Sequence, residues 1–392
     1  MKLPDGWRSA RLGKVVEVLY GRALPASQRT PDGRYPIVGS AGRMPSRTDN
    51  PLTAGPALVV GRKGNVGHVT YEPSGSWPVD TTYYIEPPTG VFDGRFLFFQ
   101  LTHLDLKRLN SSTAVPSLRR PDLERQVLAI PPPDEQRRIV DILEDHLSRL
   151  DAANDYLSAS AKRLRAYCAG ALSSLATDAD PVVALASAAV ESRYGTSTKC
   201  VPGGAGAPVV RIPNLRGGII DLADEKRAET AEDLSALMLR AGDVLVVRTN
   251  GSKDLIGRTA VVQSGIEAAF ASYLIRYRFD PTRVVPEWIH LMLDRPEARR
   301  RLEELAASSA GQYNLGLKKL DGVEVPLPSI DEQQRRIEAY SGVAQRAGLL
   351  SSTLNASRRR SGVLRQALLA AAFSGRLTGR SSDLDFAEEF AS

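Results

Sequence analysis

Apolar and polar positions follow two different rhythms along this chain. From Leu143 a strict 4-3 spacing runs through Leu147, Leu150, Asn154, Leu157, Ala161, Leu164, Cys168, Ala171 and Leu175. The same spacing returns 200 residues later through Val343, Ala347, Leu350, Leu354, Ser357, Ser361, Leu364, Leu368 and Ala371. A 3.5-residue apolar period held over several heptads predicts two long helices with coiled-coil seams. Asn154, Ala161, Ser357 and Ser361 are small or polar seam positions that allow close approach and fix register. Each helix follows a proline stop, Pro131 to Pro133 or Pro328, and Asp134 and Asp331 are the expected N-caps. Between the helices the rhythm is that of strands. Ala57–Val60 and Asp243–Val247 read as buried strands, each followed by a Gly-containing loop. Thr81–Ile85 and Ala271–Tyr277 read as further strands, with short helices expected around Phe92–Leu104 and Pro286–Leu305.

The order of these elements occurs twice. Ile130-Pro131-Pro132-Pro133-Asp134-Glu135-Gln136-Arg137-Arg138-Ile139 returns as Leu327-Pro328-Ser329-Ile330-Asp331-Glu332-Gln333-Gln334-Arg335-Arg336-Ile337, with an offset of 197 residues up to Asp-Glu-Gln. At the same offset Leu118 matches Leu315 and Leu123 matches Leu320, while Tyr20-Gly21 near the start is echoed by Tyr194-Gly195. Each half therefore has a globular β-rich part, a proline stop and a long helix. The matching registers favour mutual pairing of the helices, and a two-fold-like relation of the halves makes that pairing antiparallel. At 1.5 Å per residue, a helix of about 35 residues is about 50 Å long, so such a pair would hold the two globular parts at opposite ends of a rod. The fold class expected is α/β (α+β), with a pseudo-two-fold internal repeat. The boundaries expected are 1–133 and 179–330 for the globular parts, 134–178 and 331–378 for the helices, and 379–392 for an acidic, disordered tail.

Composition narrows the function. The 392 residues are 42% hydrophobic and 24% charged, ordinary for a globular protein of two to four domains. No apolar run reaches the length of a membrane helix, no signal peptide is visible, and Cys168 and Cys200 make no disulfide framework, so a cytoplasmic protein with no membrane partner is expected. Net charge is +6, and only 10 of 51 basic residues are Lys. GC-rich codon usage favours Arg, but Arg is also the better residue for bidentate base and phosphate contacts. Catalytic constellations are missing. Glu86-Pro87-Pro88-Thr89 lacks both ends of an amino-methyltransferase loop, and no P-loop sequence is present. The four histidines are scattered singly. Asp221, Asp224 and Lys226 loosely mimic a metal-dependent nuclease and leave a stand-alone restriction endonuclease as one alternative. A coiled-coil adaptor that does not read DNA is another.

The duplicated order, the opening Leu3-Pro4-Asp5-Gly6-Trp7, and the ending Leu364-Arg365-Gln366-Ala367-Leu368-Leu369-Ala370-Ala371-Ala372-Phe373-Ser374-Gly375-Arg376-Leu377 resemble the DNA specificity subunit of type I restriction-modification systems. The similarity covers essentially the whole chain; the first helix lacks the Phe-Ser-Gly-Arg-Leu ending of the second. The resemblance implies a chain with no catalysis of its own. Each globular part would be a target recognition domain reading one half of a bipartite double-stranded DNA target. The helices would fix the unread spacer and dock two methyltransferase subunits that methylate adenine N6. No cofactor is expected on this chain. S-adenosylmethionine belongs to the methyltransferase partner, and ATP and Mg to a restriction/translocase subunit that can join the complex. The two globular parts differ in sequence, which implies an asymmetric target.

Loops on a β scaffold are the natural readers. In the first domain the candidate DNA contacts are Ser40, Arg43, Arg62, Lys63, Asn65, His68, Ser117, Arg119 and Arg120. In the second they are Arg211, Asn214, Arg216, Arg248, Thr249, Asn250, Lys253, Arg258, Tyr313 and Asn314. Arg suits guanine and Asn adenine, whereas Lys63 and Lys253 suit phosphates. Arg137, Arg138, Arg335 and Arg336 are candidates for subunit docking.

Overall fold

A computed structural model of the chain describes residues 3–112, 116–309 and 311–378. The tail expected over 379–392 lies outside the described residues. The chain divides into two compact units, Met1–Ser158 with Asn355–Ser392, and Ala159–Leu354.

In the first unit, an antiparallel four-stranded sheet has the order Leu19–Tyr20, Thr82–Ile85, Ala57–Gly61, Val69–Glu72. The continuous apolar run Ala57–Gly61 is buried on both faces, as an unbroken hydrophobic strand requires. Leu58 and Val60 face the helix Gly94–His103 through Phe96, Leu97 and Leu101. The same core takes in Ile139, Leu143 and Leu147 of the first long helix and Leu368, Ala372 and Phe373 of the second. A separate smaller sheet has the order Gly42–Thr48, Tyr35–Gly39, Trp77–Pro78, its first pair antiparallel and its second parallel.

In the second unit the main sheet has six strands, in the order Ala189–Tyr194, Leu274–Phe279, Val244–Val247, Thr259–Val261, Ile219–Ile220, Leu215–Arg216. Val244, Val246, Ile275 and Tyr277 pack with Trp288, Ile289 and Met292, and with Leu172 and Leu175. The helix expected around Pro286–Leu305 is two helices, Pro286–Asp294 and Pro296–Leu305. Pro296 has no N–H to continue the ladder and forces Arg295 out of the helical region, to φ −56° and ψ 142°.

The long helices run over Pro133–Ser173 and Ile330–Phe373. Asp134 and Asp331 are therefore not the N-caps. They lie inside the first turn, together with Glu135 and Glu332, where carboxylates favour the positive end of the helix dipole. Within the first unit the two helices are antiparallel. Asn154 Nδ2 donates to Ser361 Oγ at 2.9 Å, and Arg365 Nη1 meets Asp151 Oδ1 at 2.5 Å. One seam residue departs from the expected pattern: Leu350 is 56% exposed. An α-helix drifts about 20° per heptad from a strict 3.5-residue repeat, which turns a distant seam position outward. The second helix ends at a left-handed Gly375 (φ +74°), after which the Arg376 and Leu377 N–H groups both donate to the Ala371 carbonyl. Among the described residues no helix is long and apolar enough to cross a membrane.

Candidate nucleic-acid interface

Each unit brings a tyrosine and an arginine together where its central strand ends. In the first unit the strand Ala57–Gly61 ends at a residue that must be glycine, since a Cβ there would lie 2.1 Å from the Asn65 carbonyl oxygen. Arg62 follows. Its N–H donates to the Thr81 carbonyl, its Nη2 to the Asp80 carbonyl at 2.8 Å, and its guanidinium lies over Tyr20 at 5.4 Å and Tyr83 at 5.9 Å. The Arg62 carbonyl accepts from the Leu118 N–H at 2.8 Å.

The second unit repeats this arrangement. Arg248 follows the strand Val244–Val247, its N–H donates to the Tyr273 carbonyl, and its guanidinium lies 4.6 Å from the centre of the Tyr194 ring. Its carbonyl accepts from the Leu315 N–H, also at 2.8 Å. Arg62 and Arg248 thus occupy equivalent places, as do Tyr20 and Tyr194 and Leu118 and Leu315. In both arginines Nε is buried without a hydrogen-bond partner. Burial pushes the Tyr83 hydroxyl up to about 12, with Tyr20 adding to the effect.

Around these centres the loops differ. In the first unit, Lys63 bridges to Ser117, and the Gly64 N–H donates to the Pro116 carbonyl. A Cβ at Gly61 would also lie 2.9 Å from the Ser40 carbonyl oxygen. Ser40, Lys63, Asn65 and Ser117 are thereby gathered at one strand end. His68 stands close to Gly42, half-buried. Arg43 is held in a bidentate pair by Glu72, both bonds 2.8 Å, and the Glu72 carboxylate raises its pKa. Glu72 itself is fully buried. Arg119 pairs with Asp122 and Arg120 with Glu124, and Arg120 also lies 6.0 Å from the Tyr20 ring.

In the second unit, Arg248 Nη2 and Thr249 Oγ1 both donate to Asn314 Oδ1, at 2.9 and 3.0 Å. Thr249 pairs with Asn314 and Asn250 with Tyr313 across two short strands. Lys253 and Arg258 are exposed on the following loop. Asn214 points the other way. It is buried, its Oδ1 accepts from the Arg211 N–H, and its Nδ2 donates to the Asp221 carbonyl at 2.9 Å. It closes a turn and has no free edge for a base, contrary to its candidacy. Arg211 is only 12% exposed and pairs with Asp224 at 2.8 Å. Arg216 stays exposed, 3.4 Å from Asp221. These pairings also occupy the carboxylates of the nuclease alternative. The Arg211 guanidinium bonded to Asp224 holds its carboxyl below the usual range. Among the described residues no cluster of three His, Cys, Asp or Glu is set to hold a metal.

The docking candidates separate in the same way. Arg137 and Arg138 are exposed, Arg137 pairing with Asp134, and Arg335 is exposed and paired with Glu332. Arg336 is committed inward: it bonds both carboxylate oxygens of Asp180 at 2.7 and 3.0 Å and the Leu175 carbonyl at 2.7 Å. Its guanidinium lowers the Asp180 pKa. It joins helix to linker in its own unit and is not a free docking charge.

Sequence reasoning passed over the two tyrosines as site residues, although the repeated Tyr-Gly pair marked them. Tyr20 is 50% and Tyr194 38% exposed, so each arginine covers only part of its ring. It also passed over Gln136 and Gln333, whose repetition within Asp-Glu-Gln was the available signal.

The chain is similar to known proteins. Residues 4–158 match the family model described as a type I restriction modification DNA specificity domain. The chain is 25% identical over 425 residues to the type I restriction enzyme EcoKI specificity subunit of Escherichia coli K12, a match covering 97% of this chain and 91% of the relative. It is 24% identical over 268 residues to the StySPI specificity subunit of Salmonella potsdam, covering 64% of this chain and 58% of that relative. A chain from a solved type I restriction-modification assembly shares its fold, with a TM-score of 0.72 at 19% identity over 96% of this chain and all of that one. Residues 4–158 thus match a type I restriction modification DNA specificity domain, and along nearly its full length the chain is similar to a specificity subunit of a type I restriction enzyme.

Proposed function

We propose that each globular part reads one half of a split double-stranded DNA target, and that the long helices set the unread spacer between the halves. Two methyltransferase subunits, carrying S-adenosylmethionine, dock on the complex and methylate adenine N6. A restriction subunit using ATP and Mg can join them. The observation that carries this reading is the repeated strand end: one Tyr–Arg framework, occurring twice, with different polar side chains around it. Lys63, Asn65 and Ser117 surround the first; Thr249, Asn250 and Asn314 surround the second. Specific readout needs side chains at base edges, while phosphate contacts give affinity and position. Different side chains on a common framework favour unlike half-sites and an asymmetric target. Two readers on helices of fixed length favour a fixed half-site separation, as in other DNA readers with two modules.

The test is single-molecule sequencing of host DNA after co-expression with the methyltransferase subunit of the same genome, with and without this chain. Methyl-adenine at one split, asymmetric motif, present only with the chain, is the expected result. A stable complex that produces no chain-dependent methylation overturns the reading.

A further inference from the structure

The repeated Asp-Glu-Gln triplet has a structural use that the reading of DNA leaves unexplained. Gln136 and Gln333 are both essentially fully buried, at 1% and 0% exposure. Gln136 Oε1 accepts from the Asp93 N–H at 2.8 Å, and its Nε2 donates to the Val91 carbonyl at 2.8 Å and the Pro131 carbonyl at 3.0 Å. Gln333 does the same in the second unit. Its Oε1 accepts from the Val285 N–H at 2.9 Å, and its Nε2 donates to the Arg283 carbonyl at 3.0 Å and the Pro328 carbonyl at 2.8 Å.

The equivalence is complete in chemistry. Asp93 and Val285 are the N-cap residues of the short helices Gly94–His103 and Pro286–Asp294, and Val91 and Arg283 each precede the cap by two. Pro131 and Pro328 belong to the stop before each long helix. One amide therefore joins three things in each unit: the proline stop, the first turn of the long helix, and the start of the short helix. That short helix packs on the central strand that ends just before Arg62 or Arg248. Only a side chain that both donates twice and accepts can fill this place. A carboxylate would set oxygen against two carbonyls, and an apolar side chain would leave a buried N–H unpaired.

We infer that Gln136 and Gln333 are positioning residues that fix the angle between each recognition domain and the first turn of its own long helix, and so fix the spacer length that is read. The inference rests on the function proposed above. A domain free to rotate about its helix start would carry its strand-end loops along the DNA, and the base readout of each half would survive at altered separation.

The experiment uses the full chain co-expressed with its methyltransferase, and a plasmid library holding the chain's own split motif with spacers from two base pairs shorter to two longer. The native chain is expected to direct methylation at a single spacer length. If the native chain marks no split motif at all, it is the proposed function that fails and not this inference. Gln136→Met and Gln333→Met keep the volume and remove the bonds. Each is expected to raise methylation at neighbouring spacers about tenfold relative to the native spacer, the scale of one lost hydrogen bond, with half-site bases unchanged. Gln136→Asn and Gln333→Asn, which keep the amide but shorten its reach, serve wherever a Met variant does not fold. Folded variants that assemble yet keep the native spacer preference overturn the inference. So does an equal loss of methylation at every spacer, because that is what a purely stabilising bond gives.

Discussion

Arg62 and Arg248 show how a residue singled out in a sequence can carry a structural role beside the one expected of it. Both were expected to face DNA. Both lie against a tyrosine ring and bond to backbone carbonyls, with one Nη of Arg248 on Asn314. They hold the start of each loop, and any contact with DNA is made from that fixed position. A guanidinium on an aromatic ring contributes about 0.5–2 kcal/mol. Arg248→Ala is expected to lower methylation at least about tenfold by freeing Thr249 and Asn314, a loss of about 1.4 kcal/mol in loop placement. A complex that methylates as before removes Arg248 from this role. Arg336 gives a sharper contrast. Arg336→Ala leaves Asp180 buried and unpaired and should destabilise the second unit by about 3 kcal/mol. Arg335→Ala, on the exposed side of the same turn, should change stability by less than about 0.5 kcal/mol. Denaturant titration of both variants checks the pair. The Asp180 carboxyl is held below its ordinary value of 3.8 by Arg336. A depressed folded pKa gives stability that is complete above the unfolded value and is lost as pH falls through the folded one. Native stability should therefore decline below about pH 4, and Asp180→Asn should remove that part of the decline.

At the scale of elements, the Phe-Ser-Gly-Arg-Leu ending acquires a physical meaning. Phe373 packs on Phe96 and His103. Gly375 takes the left-handed conformation, and a Cβ there would lie 2.1 Å from Pro4 Cγ. Leu377 closes the same core. Within the first unit, the ending of the second helix is thus fitted to the opening segment of the chain. The first helix runs directly into the linker toward Asp180 and has no need of such a cap. Gly375→Val should cost about 2 kcal/mol or more from backbone strain and the clash with Pro4. Gly170 is also glycine in a long helix, but it is exposed and has open space at its Cβ position. Gly170→Ala should stabilise by about 0.5–1 kcal/mol. Thermal melts with opposite signs would establish that conformation and contact, not the glycine itself, decide the outcome.

For the whole molecule, charge is the relevant quantity. The chain carries +6 overall, and much of its arginine is already paired: Arg43 with Glu72, Arg211 with Asp224, Arg278 with Asp243. The number of basic residues, 51, therefore overstates what is free to meet phosphate; the excess over acids is only +6. DNA binding by the assembled complex should weaken linearly on a log–log plot against salt, and Lys63→Ala or Lys253→Ala should each reduce that slope by about 1 if the lysine meets a phosphate. Docking of the methyltransferase is best tested by reversing Arg137, Arg138 and Arg335 to Glu. Arg336 is left out because its reversal would break the pair with Asp180. Undiminished co-purification would reject the docking role of these three residues.

The sequence by itself determined what is periodic or repeated. Heptad spacing marked the long helices, apolar runs marked the central strands Ala57–Gly61 and Val244–Val247, and the Asp-Glu-Gln repeat marked the two halves. Those features are local, because side-chain period follows directly from backbone geometry. Only the tertiary structure decided which polar groups face inward. Asn214 and Arg211 look like readers in the sequence, yet one closes a turn and the other is buried against Asp224. Gln136 and Gln333 look like solvent-facing residues of a charged helix start, yet they are buried and fully bonded. A polar residue becomes structural when the chain brings it a partner from far along the sequence, here 43 to 50 residues away for the two glutamines. Nothing in its immediate neighbours encodes that meeting, since the cost of burying a polar group is set by the bonds that the assembled fold supplies.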